Sequence, residues 1–140
     1  MNESISNRDH DFICCCRRHT AALTARGIIP DMSAVVEAVL AAEAPSYYIE
    51  YDYARRQLRH IDRYGRPEVE GDAEARRWLD IHADYTALRD ARPSADPDDL
   101  IMELCSGEAG HPRFYITPRR ARWLLRRENR RLHAATPAGI

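Results

Sequence analysis

The sequence predicts a mainly α-helical protein made by tandem duplication of one unit, in the order helix, helix, short extended segment, helix. Three observations carry this. Residues 34–61 (AVVEAVLAAEAPSYYIEYDYARRQLRHI) return about 65 residues later as residues 99–128 (DLIMELCSGEAGHPRFYITPRRARWLLRRE), and a repeat of that length is a supersecondary unit. Apolar residues recur at three- and four-residue spacing in six stretches. Gly, Pro and Asp punctuate those stretches where helices start and stop.

The correspondence is specific. At an offset of 65, Val35 falls on Leu100, Val36 on Ile101, Val39 on Leu104 and Ala44 on Ala109. After two extra residues in the second copy the offset becomes 67, pairing Pro45 with Pro112, Tyr47 with Phe114, Tyr48 with Tyr115, Ala54 with Ala121 and Leu58 with Leu125. One domain over residues 1–140 is expected, with repeats at about 7–66 and 72–131 and a frayed tail over 132–140. A chain of this length buries roughly 70% of its unfolded surface, enough for one core.

In order along the chain, Phe12, Ile13, Cys16, Thr20 and Leu23 predict a first helix from about Asn7 to Arg26, stopped by Gly27. Asp31 or Ser33 caps a second, whose inner face is Val35, Val36, Val39 and Leu40 and which Pro45 ends. Tyr47-Tyr48-Ile49 is aromatic and β-branched and reads as extended. A third helix buries Ala54, Leu58 and Ile61. After the turn Tyr64-Gly65-Arg66-Pro67, a long helix from about Asp72 to Ala91 presents Ala75, Trp78, Leu79, His82, Tyr85 and Leu88, and the 65-residue offset places Trp78 on Ile13 and Ile81 on Cys16. Asp96 with Pro97 starts the fifth helix, which Gly107 ends. Arg113-Phe114-Tyr115-Ile116 is the second extended segment, and Thr117-Pro118 opens a last helix burying Ala121, Leu124 and Leu125. An isolated extended triplet leaves backbone groups unpaired, so the two segments are expected either to pair as a small antiparallel ribbon or to serve as simple linkers.

The string A-P-S-Y-Y-I-E-Y-D-Y-A-R-R and its second version H-P-R-F-Y-I-T-P-R-R-A-R resemble a motif of an uncharacterised family of short bacterial proteins: Ala-Pro, two aromatics, Ile or Val, then an Arg-bearing helix. The resemblance spans both halves and implies no activity, cofactor or catalytic residue. The second copy departs by reading Ala-Gly-His-Pro for Ala-Pro.

No window approaches a membrane span, and the polar start MNESISNRDHD is unlike a signal peptide. Consecutive Cys14, Cys15 and Cys16 with a distant Cys105 make no disulfide framework. A cytoplasmic protein with free thiols is expected. The net charge of −1 hides segregation. Residues 67–112 hold 12 acids against 4 Arg, residues 113–131 hold 8 Arg against Glu128, and residues 53–66 hold 5 Arg against Asp62. All 21 basic residues are Arg, which reflects either the forked guanidinium's suitability for phosphates and carboxylates or a GC-rich genome.

Catalytic motifs are missing: no G-x-S-x-G, no phosphate-cradling glycine loop, no H-E-x-x-H. His10 with Cys14 and Cys15 with His19 have helical i,i+4 spacing, but the two pairs point about 100–140° apart and make no single tetrahedral site. Neither enzyme activity, metal nor cofactor is therefore expected. His82 reads as a hydrogen-bonded core residue. Candidate binding residues are Arg55, Arg56 and Arg59 in the third helix, Arg119, Arg122, Arg126 and Arg130 in the last, and Tyr48 and Tyr115 beside them. The expected function is a small adaptor or regulatory protein that holds a protein partner, or a second copy of itself, through aromatic and charged faces. The alternative is a nucleic-acid-binding protein using the two Arg-rich helices. A third account pairs the acidic and basic segments within the chain as solvated ion pairs.

Overall fold

Free N–H groups at a helix start need acceptors, and Asp31, Asp96 and Thr117 supply side-chain ones at three of the starts. The computed structural model describes residues 3–135, which form six helices: α1 (Glu3–Ala25), α2 (Met32–Ala41), α3 (Tyr51–Tyr64), α4 (Asp72–Ala91), α5 (Pro97–Ser106) and α6 (Pro118–Ala135). Asp31 accepts from the Ala34 N–H at 3.1 Å, Asp96 from Asp98 N–H at 2.9 Å ahead of Pro97, and Thr117 Oγ1 from Arg120 N–H at 3.2 Å. Gly65 and Gly107 close α3 and α5 in left-handed conformation. Residues 132–135, expected to fray, are helical, since α6 runs to Ala135; the rest of the expected frayed tail lies outside the described residues.

The helices gather into two compact units. One comprises Met1–Glu43 with Phe114–Ile140, hence α1, α2 and α6; the other is Ala44–Arg113, hence α3, α4 and α5. These units cut across the sequence halves at 7–66 and 72–131. In the first, α6 packs on α1 and α2; in the second, α3 packs on α4 and α5. The last helix of each half is thus housed with the first two helices of the other.

The α1/α2/α6 unit buries Phe12 and Cys16 with Val35, Val36, Val39, Phe114, Ile116, Ala121, Leu124 and Leu125. Phe12 meets Phe114 edge to face, centroids 5.5 Å apart at 79°, the arrangement the ring quadrupole favours. Asp9 is buried on α1 beside Phe12 and accepts from Arg8 at 3.0 Å and from Arg120 of α6 at 3.4 Å, while Arg8 also reaches the Tyr115 carbonyl at 3.5 Å. Arg17 adds an α1-to-α6 ion pair with Glu128 at 2.7 Å.

The α3/α4/α5 unit closes around Tyr47, Ala54, Leu58, Ile61, Trp78, Ile81, Tyr85, Leu100, Ile101 and Leu104. Buried Gln57 is satisfied by the Glu68 backbone, donating to its carbonyl at 3.1 Å and accepting from its N–H at 2.8 Å. The Tyr47 hydroxyl donates to Asp84, and the His111 N–H donates to Tyr47 Oη at 2.8 Å and to Asp84 Oδ2 at 3.2 Å. A Cβ at Gly110, whose φ is +83°, would come within 2.1 Å of that hydroxyl. The Gly110-His111 pair therefore wraps Tyr47, and only glycine fits at position 110.

Two expectations are corrected. The antiparallel ribbon is not formed: no strand occurs among the described residues, and the two non-helical segments share the hydrogen bond from Ala44 N–H to the Pro112 carbonyl at 2.7 Å. Tyr48 explains part of this, because its φ of +58° is left-handed and breaks the extended run a ladder requires. The 65-residue offset also fails in the first helices. Asp9, Phe12 and Cys16 of α1 match Trp78, Ile81 and Tyr85 of α4 at an offset of 69, about one turn further along the same face. Ile13 is half-buried where Trp78 is fully buried, and Leu79 is exposed because it lies beside that face, not on it.

Candidate nucleic-acid interface

The face of α6 follows from its core positions. With Ala121, Leu124 and Leu125 buried and Glu128 largely covered, about 100° per residue places Arg119, Trp123, Arg126 and Arg130 in one stripe on the opposite side, with Arg122 and Arg127 flanking it. The helix carries seven Arg and one Glu. Arg120 pairs with Asp9 and Arg131 with Glu128 at 2.6 Å. Among the described residues the other five, Arg119, Arg122, Arg126, Arg127 and Arg130, have no carboxylate within ion-pair distance. Trp123 is 40% exposed in their midst, with the Arg120 and Arg127 guanidinium carbons 4.9 and 4.7 Å from its ring. Such contacts are worth about 0.5–1 kcal/mol at exposed sites.

On α3 the corresponding arginines are engaged. Arg55 and Arg59 both donate to Asp98 of α5, at 3.2 and 3.1 Å. Arg56 lies over Tyr53 at 5.0 Å and Arg63 over Tyr64 at 5.3 Å. The acidic segment thus neutralises part of α3.

The sequence-predicted residues are divided between the units: Tyr48, Arg55, Arg56 and Arg59 belong to the α3/α4/α5 unit, and Tyr115, Arg119, Arg122, Arg126 and Arg130 to the α1/α2/α6 unit. Tyr48 and Tyr115 are half-buried next to fully buried Tyr47 and Phe114. Tyr48 donates its N–H to Ser46 Oγ at 3.0 Å, and Tyr115 lends its carbonyl to Arg8, so both hold the backbone around a core aromatic. Trp123 was absent from the sequence-predicted set. Its signal was present, since it sits opposite Ala121, Leu124 and Leu125 on a helical wheel, where a large aromatic has no core to fill.

Elsewhere the chemistry is modest. Burial, followed by the neighbouring Cys15, pushes the Cys16 thiol up to about 12, and burial pushes Cys105 up to about 11, so neither is a thiolate nucleophile near neutral pH. Arg18 donates to Cys15 Sγ at 3.1 Å, and Cys14 Sγ lies 3.6 Å from His10 Nε2. Among the described residues no group of three or more His, Cys, Asp or Glu is placed to hold a metal. His82 is half-buried with Nε2 2.7 Å from Asp62, which Arg89 also grips at 3.1 Å. No described helix is long and apolar enough to cross a membrane. No protein-family model, curated protein or solved structure matches this chain.

Proposed function

We propose that this is a non-enzymatic binding protein that holds nucleic acid on the outer face of α6. The observation that carries the reading is the stripe of arginines that, among the described residues, has no carboxylate within ion-pair distance, around exposed Trp123. Unpaired guanidinium groups lose no intramolecular ion pair when they meet phosphate, and their fork matches its oxygens. Nucleic-acid binding by phosphate neutralisation is steeply salt-dependent. Titration of labelled mixed-sequence oligonucleotides by fluorescence anisotropy is the test, in single- and double-stranded form across a salt series. Micromolar binding that weakens as salt rises is expected; no binding of either form at low salt contradicts the reading.

A protein partner, or a second copy of the chain, is a separate reading favoured by the α1–α2 turn. Ile29 there is 92% exposed and Ile28 42%, an apolar pair at the surface. Sedimentation velocity tests the second-copy form: self-association that Ile29→Glu abolishes is the expected result, and a monomer unaffected by the change contradicts it.

Behind either surface, the fold is read as a tandem duplication whose third helices have changed places. Its support is that buried Val35, Val36 and Val39 correspond to Leu100, Ile101 and Leu104 at an offset of 65, and Ala54 and Leu58 to Ala121 and Leu125 at 67. Residence in the cytoplasm and kinship with the short bacterial proteins bearing the Ala-Pro-aromatic motif belong to the same reading. Neither contributes to the nucleic-acid argument.

A further inference from the structure

We infer that α6 takes a single strand in preference to a duplex, with an unpaired base stacked on Trp123 while Arg119, Arg126 and Arg130 meet phosphates; this rests on the nucleic-acid reading above. Trp123 stands in line with those three arginines, one turn after Arg119 and one turn before Arg126. A backbone running along that line brings its bases to the indole. In a duplex each base has both π-faces covered by its neighbours, so an indole finds a free face only where a base is unstacked; a single strand offers one at every nucleotide.

The stripe also lacks the side chains that most directly read adenine in a groove. Asn129 is the only Asn or Gln of α6, and it lines a groove with Cys16, Thr20 and Met32, away from Trp123. Arg127 is held at the indole by its cation–π contact, and no carboxylate among the described residues lies within ion-pair distance of it. It can therefore cede the ring face to a base and turn to a phosphate. Arg120 is anchored to Asp9 at 3.4 Å and stays as the fixed side of the stack. The chain's other tryptophan, Trp78, is fully buried, so a change in indole emission on binding reports Trp123.

The experiment compares the full chain with Trp123→Phe and Trp123→Ala, each checked for helicity by circular dichroism, against a mixed-sequence single strand of about 12 nucleotides, as DNA and as RNA, and against the duplex of the same length. The inference expects tighter binding of either single strand than of duplex at equal salt, with quenching of indole emission. Trp123→Ala should lose about 5- to 150-fold in single-strand affinity, Trp123→Phe should retain most of it, and both should keep the wild-type salt slope. Duplex binding as tight as or tighter than single-strand binding, or unchanged single-strand affinity in Trp123→Ala, overturns the inference and leaves the nucleic-acid reading standing. Binding of neither form at low salt overturns both.

Discussion

Helices α3 and α6 carry the same pattern of positions and opposite electrostatic situations. Ala54 and Leu58 of α3 are buried, as are Ala121 and Leu125 of α6 at the corresponding places, and both helices turn arginines outward. On α3, Asp98 takes both Arg55 and Arg59. On α6 the stripe from Arg119 to Arg130 meets no carboxylate among the described residues, and an exposed indole sits within it. The difference teaches that arginine content alone does not define a binding face. What faces the arginines decides, and here one aspartate on α5 engages two arginines of α3, where the α6 stripe has no such counterpart among the described residues.

The comparison breaks most visibly in the cores. Leu58→Ala at a fully buried site should cost about 2–5 kcal/mol by urea unfolding, and Leu125→Ala, at a site with 9% exposure, should fall lower in that range. A loss at Leu125 larger than at Leu58 would contradict the burial assigned to the two helices. Next comes the position where they differ in kind, Gln57 against Leu124, both fully buried. Gln57→Ala strips partners from the Glu68 carbonyl and N–H, and a cost of about 1–3 kcal/mol is expected. Retention of wild-type stability would show that water satisfies the loop equally well.

A pH experiment sharpens the same contrast. Where α3 has buried Ile61, α6 has Glu128, whose carboxyl lies below its ordinary 4.5 because the hydrogen bond from Arg131 outweighs the opposing cost of burial, with the Arg131, Arg17 and Arg127 charges adding to the lowering. A lowered folded value gives stability that is present above pH 4.5 and lost as pH falls through the folded value. As pH falls below 4.5 the wild type should therefore lose stability more steeply than Glu128→Gln; parallel curves would contradict the pairing. The smallest effect on stability is expected from Asp98→Asn, about 0–1 kcal/mol for exposed ion pairs. It should nevertheless tighten nucleic-acid binding by freeing Arg55 and Arg59, and unchanged affinity would show that α3 takes no part even when released.

Much of the helical skeleton was legible because its signals are local. Asp31, Asp96 with Pro97, and Thr117 with Pro118 mark starts that the backbone uses, and three- and four-residue spacing marked Val35, Val36, Val39, Leu100, Ile101 and Leu104 as core. What escaped was non-local. The housing of α6 with α1 and α2 depends on which apolar faces meet, and helical spacing gives each face without naming its partner. The need to pair backbone groups left a ribbon and simple linkers as alternatives, and what decides against the ribbon is not local propensity: Tyr48 adopts a left-handed conformation that no propensity scale assigns to tyrosine. At the site, the row of arginines was readable, but the engagement of Arg55 and Arg59 was not, since Asp98 lies about 40 residues away in sequence and reaches them only through the packing of α3 on α5. Likewise the anchoring of Arg120 depends on Asp9, buried on α1.

The most direct measurement is the slope of log affinity against log salt for a labelled single strand, compared among the wild type, an Arg119/Arg126/Arg130 triple Ala variant and an Arg55/Arg56/Arg59 triple Ala variant. Each lost phosphate contact flattens a single-strand slope by about 0.7. The account predicts a slope shallower by about 2 for the α6 variant and an unchanged slope for the α3 variant. Equal slopes in all three proteins, or a larger change from the α3 variant, would contradict it.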